Sequence, residues 1–257
     1  MIEVLALSFA LTLARAGTFV FFLPVVGGRS SPNTVKIGLT FALAVFWFTV
    51  WGTQPSAEFI QLAAGRNWLA CTIAMGREAL LGAILGFVFS MLMVPSRIAG
   101  AYVAQEMGLT IATISDPVTR QPASVLTHLF EALAVLVFFG LDVHHMLLLA
   151  MHASFKLWAV GAVVPDAALL LATSGVGEAH HWGLMIAAPI GISMFLTTVV
   201  LLLLNRASPQ INLFSVGIVV RLGAGIAALL LFLPTMVASL HRFFARTTGS
   251  IEALFQL

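Results

Sequence analysis

Seven histidines are the first residues of this sequence that invite chemistry. They are His128, the pair His144–His145, His152, the pair His180–His181, and His241. His145 and His152 stand seven apart, on one helical face, but no second carboxylate joins them. No H-E-x-x-H occurs, and no Cys or Asp spacing completes a zinc site. The single cysteine, Cys71, excludes an internal disulfide and a Cys-based metal site, and reads as a small core residue. No metal and no cofactor are expected. Nucleophilic catalysis fares no better: there is no G-x-S-x-G, and Ser154 and Ser193 are lone residues in apolar stretches. Gly223-Ala-Gly225 lies in an apolar run and lacks the Lys-Ser/Thr ending of a phosphate loop.

Six charges in apolar surroundings say more: Arg15, Arg77, Glu78, Glu106, Glu131 and Arg221. A central charge in a membrane helix costs about 2.5–3.5 kcal/mol on insertion scales. Such residues must face a protein interior or a water-filled path. Two readings follow: buried ion pairs that fix assembly, or the polar lining of a transport path.

The elements that must position these charges are apolar to a degree no soluble core allows. Of the 257 residues, 60% are hydrophobic and 9% charged, and the mean hydropathy is +1.06. A soluble domain is about half apolar and a quarter charged. The apolar runs are continuous rather than alternating, which points to helices and not to a barrel. The formal net charge of +2 does not argue for nucleic acid. Eight apolar segments are expected: Val4–Val26, Ile37–Thr53, Trp68–Val94, Ile98–Ser115, Val125–Leu141, Val143–Val160, Trp182–Leu204 and Ile211–Leu240. Pro24, Pro32, Pro55, Pro95, Pro117, Pro122, Pro165 and Pro209 fall at or between their ends. The first run carries Arg15 and no basic n-region, so it is expected to stay in the mature protein. No linker or low-complexity tract divides residues 1–257, which read as one domain. A crossing helix needs roughly 20 apolar residues. Only Trp182–Leu204 and Leu222–Leu240 reach that length without a charge. The Lys and Arg residues between segments are spread almost evenly, and only Arg242 and Arg246 favour a cytoplasmic C-terminus. Gly82 and Gly86 form a GxxxG pair, extended by Gly76 and Ala79, which signals close helix contact.

Two polar stretches carry the most specific text. One runs Gly108-Leu-Thr-Ile-Ala-Thr-Ile-Ser-Asp116-Pro117, after Gly100 and Gln105 and before Gln121-Pro122. It makes a poor lipid-facing helix, and non-helical backbone at membrane depth is tolerated only inside protein or beside a cavity. The other, from Asn205-Arg206 through Pro209, Gln210, Asn212 and Phe214 to Gly217, joins two apolar runs as the polar tip of a helical hairpin.

These stretches resemble the FliR/SctT family, the export-gate subunit of bacterial flagellar and type III secretion systems. The likeness covers the chain from about Arg15 to Pro234. Arg15 with Pro24, then Pro32 with Lys36, resemble its opening segments. Glu78 followed by Gly82 resembles its E-x-x-x-G helix. Gly100, Gln105, Gly108-Leu109 and Asp116-Pro117 resemble its central loop. Leu141 to His145 followed by Ser154-Phe155 resembles its D/N-G-H region, and Ala188-Pro189 with Asn205 to Gly217 its C-terminal hairpin. Val143 replaces a glycine common before the histidine, and Val219–Val220 stand where a proline is usual.

The resemblance implies an all-α, polytopic integral membrane protein of broken helical hairpins that assembles into a hetero-oligomeric helical gate. It implies a non-catalytic subunit of the type III export gate in the bacterial inner membrane, at the base of the flagellar basal body. FliP/SctR-type, FliQ/SctS-type and FlhB/SctU-type proteins would be its partners, with unfolded export substrates passing through and lipid around part of it. Gly108, Thr110, Ile111, Ser115, Asp116 and Pro117 would belong to the loop that plugs the closed pore. The Gly-Leu-Thr-Ile-Ala-Thr text is closer to flagellar than to injectisome members. The rival class is a small-molecule secondary transporter, which predicts an inverted repeat and a midplane site between broken helices.

Overall fold

The structure, a computed structural model, describes residues 2–24, 31–51, 68–109, 125–161, 166–208 and 213–255. Every regular element among them is helical. In chain order these are α1 (Ile2–Phe22), α2 (Asn33–Trp51), α3 (Trp68–Ser90), a 3-10 turn (Met91–Met93), α4 (Val94–Glu106), α5 (Val125–Gly140), α6 (Val143–Leu157), α7 (Asp166–Ala207) and α8 (Leu213–Phe255). Among the described residues, five helical stretches are long and apolar enough to cross a membrane: Val4–Phe22, Asn33–Val50, Trp68–Glu106, Ala168–Ala207 and Val216–Phe255. The polytopic, all-α expectation holds.

Hydroxyls inside these helices are satisfied by their own backbone. Ser8 Oγ donates to the Val4 carbonyl at 2.9 Å and Thr12 Oγ1 to the Ser8 carbonyl at 3.0 Å. Thr197 and Thr198 do the same one turn back in α7. Bonded this way, a hydroxyl can enter an apolar medium without losing a partner.

Three boundaries differ from the sequence reading. Pro95 does not separate two segments; it sits in the first turn of α4, where a missing N–H costs nothing. The apolar stretch therefore runs from Trp68 to Glu106 with only the 3-10 turn inside it. α7 begins at Asp166, not Trp182, and α8 runs on to Phe255, not Leu240. Hydropathy marks the apolar part of a helix, whereas helix propagates one bond per residue through polar neighbours as well. Residues Asp166 to His181 and His241 to Phe255 are such extensions, and Phe244, Ile251 and Phe255 are buried in the second.

The described residues form two compact units, and the chain passes between them after Leu92, Leu141, Gly177 and Ala245. The first unit holds Met1–Leu92, Asp142–Gly177 and Arg246–Leu257. Its centre is α1 packed on α3 and α2. Phe19, Val20, Leu81, Leu85 and Phe89 are buried there. Phe9 meets Phe41 and Phe48 edge to face, with ring centroids 6.0 and 5.2 Å away. The second unit holds Met93–Leu141 and Glu178–Ala245. There α4 crosses α5 at Gly100, where a Cβ would stand 2.7 Å from Thr127 Cα. Side chains of α4 fill positions without a side chain on α7: Ile98 lies against Gly183 and Tyr102 against Gly191. Gly225 of α8 receives Met107 in the same way, which gives Gly223-Ala-Gly225 a packing role.

Candidate functional site

The E-x-x-x-G spacing has a direct physical reading. Glu78 and Gly82 lie four residues apart on α3 and so share one helix face. A Cβ at Gly82 would collide with the Arg15 carbonyl and Thr18 Oγ1 of α1. One turn on, a Cβ at Gly86 would stand 2.6 Å from the Phe19 carbonyl. The two glycines therefore let α1 and α3 touch backbone to backbone. That contact carries Glu78 to Arg15, and both side chains are fully buried.

The guanidinium is satisfied on every side. Nε donates to Glu78 Oε2, and Nη2 donates to Glu78 Oε1 at 2.9 Å. Nη1 donates to the Ser154 carbonyl at 3.1 Å, and both terminal nitrogens reach the Trp158 carbonyl at 3.3 Å. All five N–H donors thus have acceptors. The Phe155 ring lies below, its centroid 4.4 Å from Cζ. Glu78 Oε1 also accepts the Gly161 N–H at 2.7 Å. Gly161 has φ +89°, a left-handed conformation that a side chain would oppose. The node ties α1, α3 and the end of α6 together. With every donor engaged and no exposure, it is built as a lock and not as a reaction centre.

The other predicted charges separate into different environments. Glu131 of α5 pairs with Arg97 of α4, and both side chains are partly exposed. The segment bounds expected from the sequence, Trp68–Val94 and Ile98–Ser115, leave Arg97 between them, because Pro95 reads as a break. Arg221 of α8 reaches Thr198 Oγ1 of α7 at 3.3 Å. Among the described residues nothing hydrogen-bonds or ion-pairs with the side chain of Arg77 or Glu106, and both are half-buried.

Gly108, at φ +77°, closes α4. The Gly108 N–H donates to the Gln105 carbonyl and the Leu109 N–H to the Ala104 carbonyl, each at 3.0 Å. This is a Schellman ending, which needs a left-handed residue in that place. Of the expected plug residues, Thr110, Ile111, Ser115, Asp116 and Pro117 lie outside the described residues, as do Pro209, Gln210 and Asn212 of the hairpin tip. Asn205 and Arg206 stand exposed in the last turn of α7, where Arg206 suits the negative helix end. Phe214 lies in the first turn of α8. Val219 and Val220 continue that helix unbroken.

Asp142, not the residue replacing the family glycine, takes the left-handed conformation before α6, with φ +54°. It accepts the His145 N–H at its carbonyl (2.9 Å). Its carboxylate lies 3.6 Å from His145 Nδ1 and 3.9 Å from His144 Nε2. The ligand atoms of these three residues fall within 4.8 Å of one another. They stand at a helix N-terminus, whose dipole favours the carboxylate and opposes a cation.

What sequence reasoning missed is the rest of the Arg15 cage. The carbonyls of Ser154 and Trp158 carry no side-chain signal. Phe155 was visible only as part of a Ser-Phe motif.

The model for bacterial export proteins, family 1, matches residues 6–247. The chain is 26% identical to the flagellar biosynthetic protein FliR of Bacillus subtilis, over 97% of this chain and 95% of that one. It is 33% identical to the FliR of Pectobacterium carotovorum, over 82% and 78%. With the FliR of Escherichia coli the identity is 26%, over 91% and 87%. A family model that spans nearly the whole chain, with relatives matched over most of their length, leads to one conclusion: the chain belongs to the bacterial export protein family 1, the FliR family.

Proposed function

We propose that this protein is a non-catalytic subunit of the flagellar protein export gate, held in the bacterial inner membrane at the base of the basal body, where it forms part of the conduit for unfolded substrates. The family match over residues 6–247 carries this reading. Relatives named for flagellar biosynthesis, matched over most of their length, support the flagellar assignment over an injectisome. The apolar helices support membrane residence. Nothing favours the small-molecule transporter.

Within this reading the charges take different roles. Arg15–Glu78 fixes the subunit's own fold. Arg77, Glu106, Arg97–Glu131 and Arg221 are left for assembly with FliP-, FliQ- and FlhB-type proteins or for the pore wall. Gly108 to Pro117 forms the plug, which the Schellman turn at Gly108 launches from the end of α4. Asn205 to Phe214 forms the hairpin tip.

Deletion in the source organism tests this. Cells without the chain should lack filaments and release no flagellar subunits into the medium, and a plasmid copy should restore both. Normal filaments in the deletion strain would refute the proposal.

A further inference from the structure

Arg77 is, with Glu106, one of two predicted charges that no described residue pairs. Its neighbour Glu78 turns into the first unit and is consumed by Arg15. Arg77, about 100° further round the helix, points away from that contact. Among the described residues it has no hydrogen-bond or ion-pair partner. It lies nine residues beyond Trp68, about 14 Å along a helix apolar enough to cross a membrane. A charge held there is expensive unless an opposite charge meets it.

The surface around Arg77 is prepared for another helix. Leu69, Ile73, Gly76 and Leu80 recur at helical spacing along one side of α3. Leu69 is 72% exposed, Ile73 50% and Leu80 49%. At Gly76 a Cβ would meet nothing within 4 Å, so the backbone itself is open to approach. Gly82 and Gly86 on the opposite side are already filled by α1. α3 thus has one close-packing face in use and a second apolar face exposed, with an unneutralised arginine on its flank. The observations combine an apolar stripe, an open glycine and an unmatched positive charge on an apolar helix.

We propose that this face of α3 seats an apolar helix from another subunit of the export apparatus, and that a carboxylate on that helix pairs with Arg77. The inference rests on the proposed function. A neutral or basic helix would leave the guanidinium unmatched, so the charge selects the partner as well as fixing its register.

The test uses the complete export complex in its own cells. A photoreactive benzoylphenylalanine is placed at Ile73 and, separately, at Leu80, with Arg77 intact. Both positions should yield an adduct with one and the same neighbouring subunit. R77E should cut co-purification of that subunit by more than about tenfold, the size expected for placing like charges together at a buried contact. R77K should keep at least half of it. Reversing the partner's carboxylate to arginine should restore assembly of R77E. If the complex forms but Ile73 and Leu80 crosslink only to lipid, or R77E assembles like the parent, the inference is overturned and the function stands. If the parent chain enters no complex at all, both fall.

Discussion

Glu78→Ala is the sharpest perturbation of the described fold. It leaves the Arg15 guanidinium fully buried with only the Ser154 carbonyl and hydroxyl and the Trp158 carbonyl as acceptors. Removing one partner of a buried pair costs about 3–5 kcal/mol. The Gly161 N–H loses its acceptor in the same step, which adds about 1–3 kcal/mol if no water reaches it. The total is comparable to the whole stability of many domains. The expected outcome is a chain that no longer accumulates in the membrane or unfolds early in detergent. Replacing both residues with apolar ones, Arg15→Met with Glu78→Leu, removes both buried charges and should recover most of the loss. The assay is a double-mutant cycle on detergent-solubilised protein, following thermal unfolding by tryptophan fluorescence. A coupling energy below about 1 kcal/mol, the level of an exposed surface pair, would refute the account of the node.

Other consequences can be checked with the same material. Glu131→Gln should cost less than Glu78→Gln in the same unfolding assay, because the Arg97–Glu131 pair is partly exposed whereas Arg15–Glu78 is not. Gly82→Ala should destabilise by about 1–3 kcal/mol or more, since its Cβ meets the Arg15 backbone, whereas Gly38→Ala, with nothing within 4 Å, should be neutral or mildly stabilising. Gly108→Ala should cost about 1–2 kcal/mol at the end of α4 by forcing a side chain into the left-handed region. In cells, deleting Thr110–Ser115 should make a resting gate leak small ions, measured as membrane depolarisation, and unchanged permeability would count against the plug.

How much could be read from the sequence depended on whether a residue's role lay in its side chain. Arg15 and Glu78 stood out because charges in apolar runs demand a partner, and Gly82 four residues beyond Glu78 announced a contact face. Their pairing was not legible, because nothing local relates residues 63 positions apart. The carbonyls that complete the cage were invisible for a different reason: every residue has one. Pro95 misled because proline both ends helices and starts them, and only the turn around it decides which. The polar ends of α7 and α8 were missed because hydropathy reports surroundings and not backbone conformation. Val143 stands where the family glycine is common, yet the left-handed residue is Asp142 before it, a type that tolerates that region.

The central claim, membership of a flagellar export gate, is tested most directly by co-purification. The chain should be expressed with the FliP-, FliQ- and FlhB-type proteins of its source and isolated through an affinity tag on this chain alone. The account predicts one detergent-stable complex that contains the partners in fixed proportion. Isolation solely as a monomer that takes up a small molecule into vesicles would contradict it.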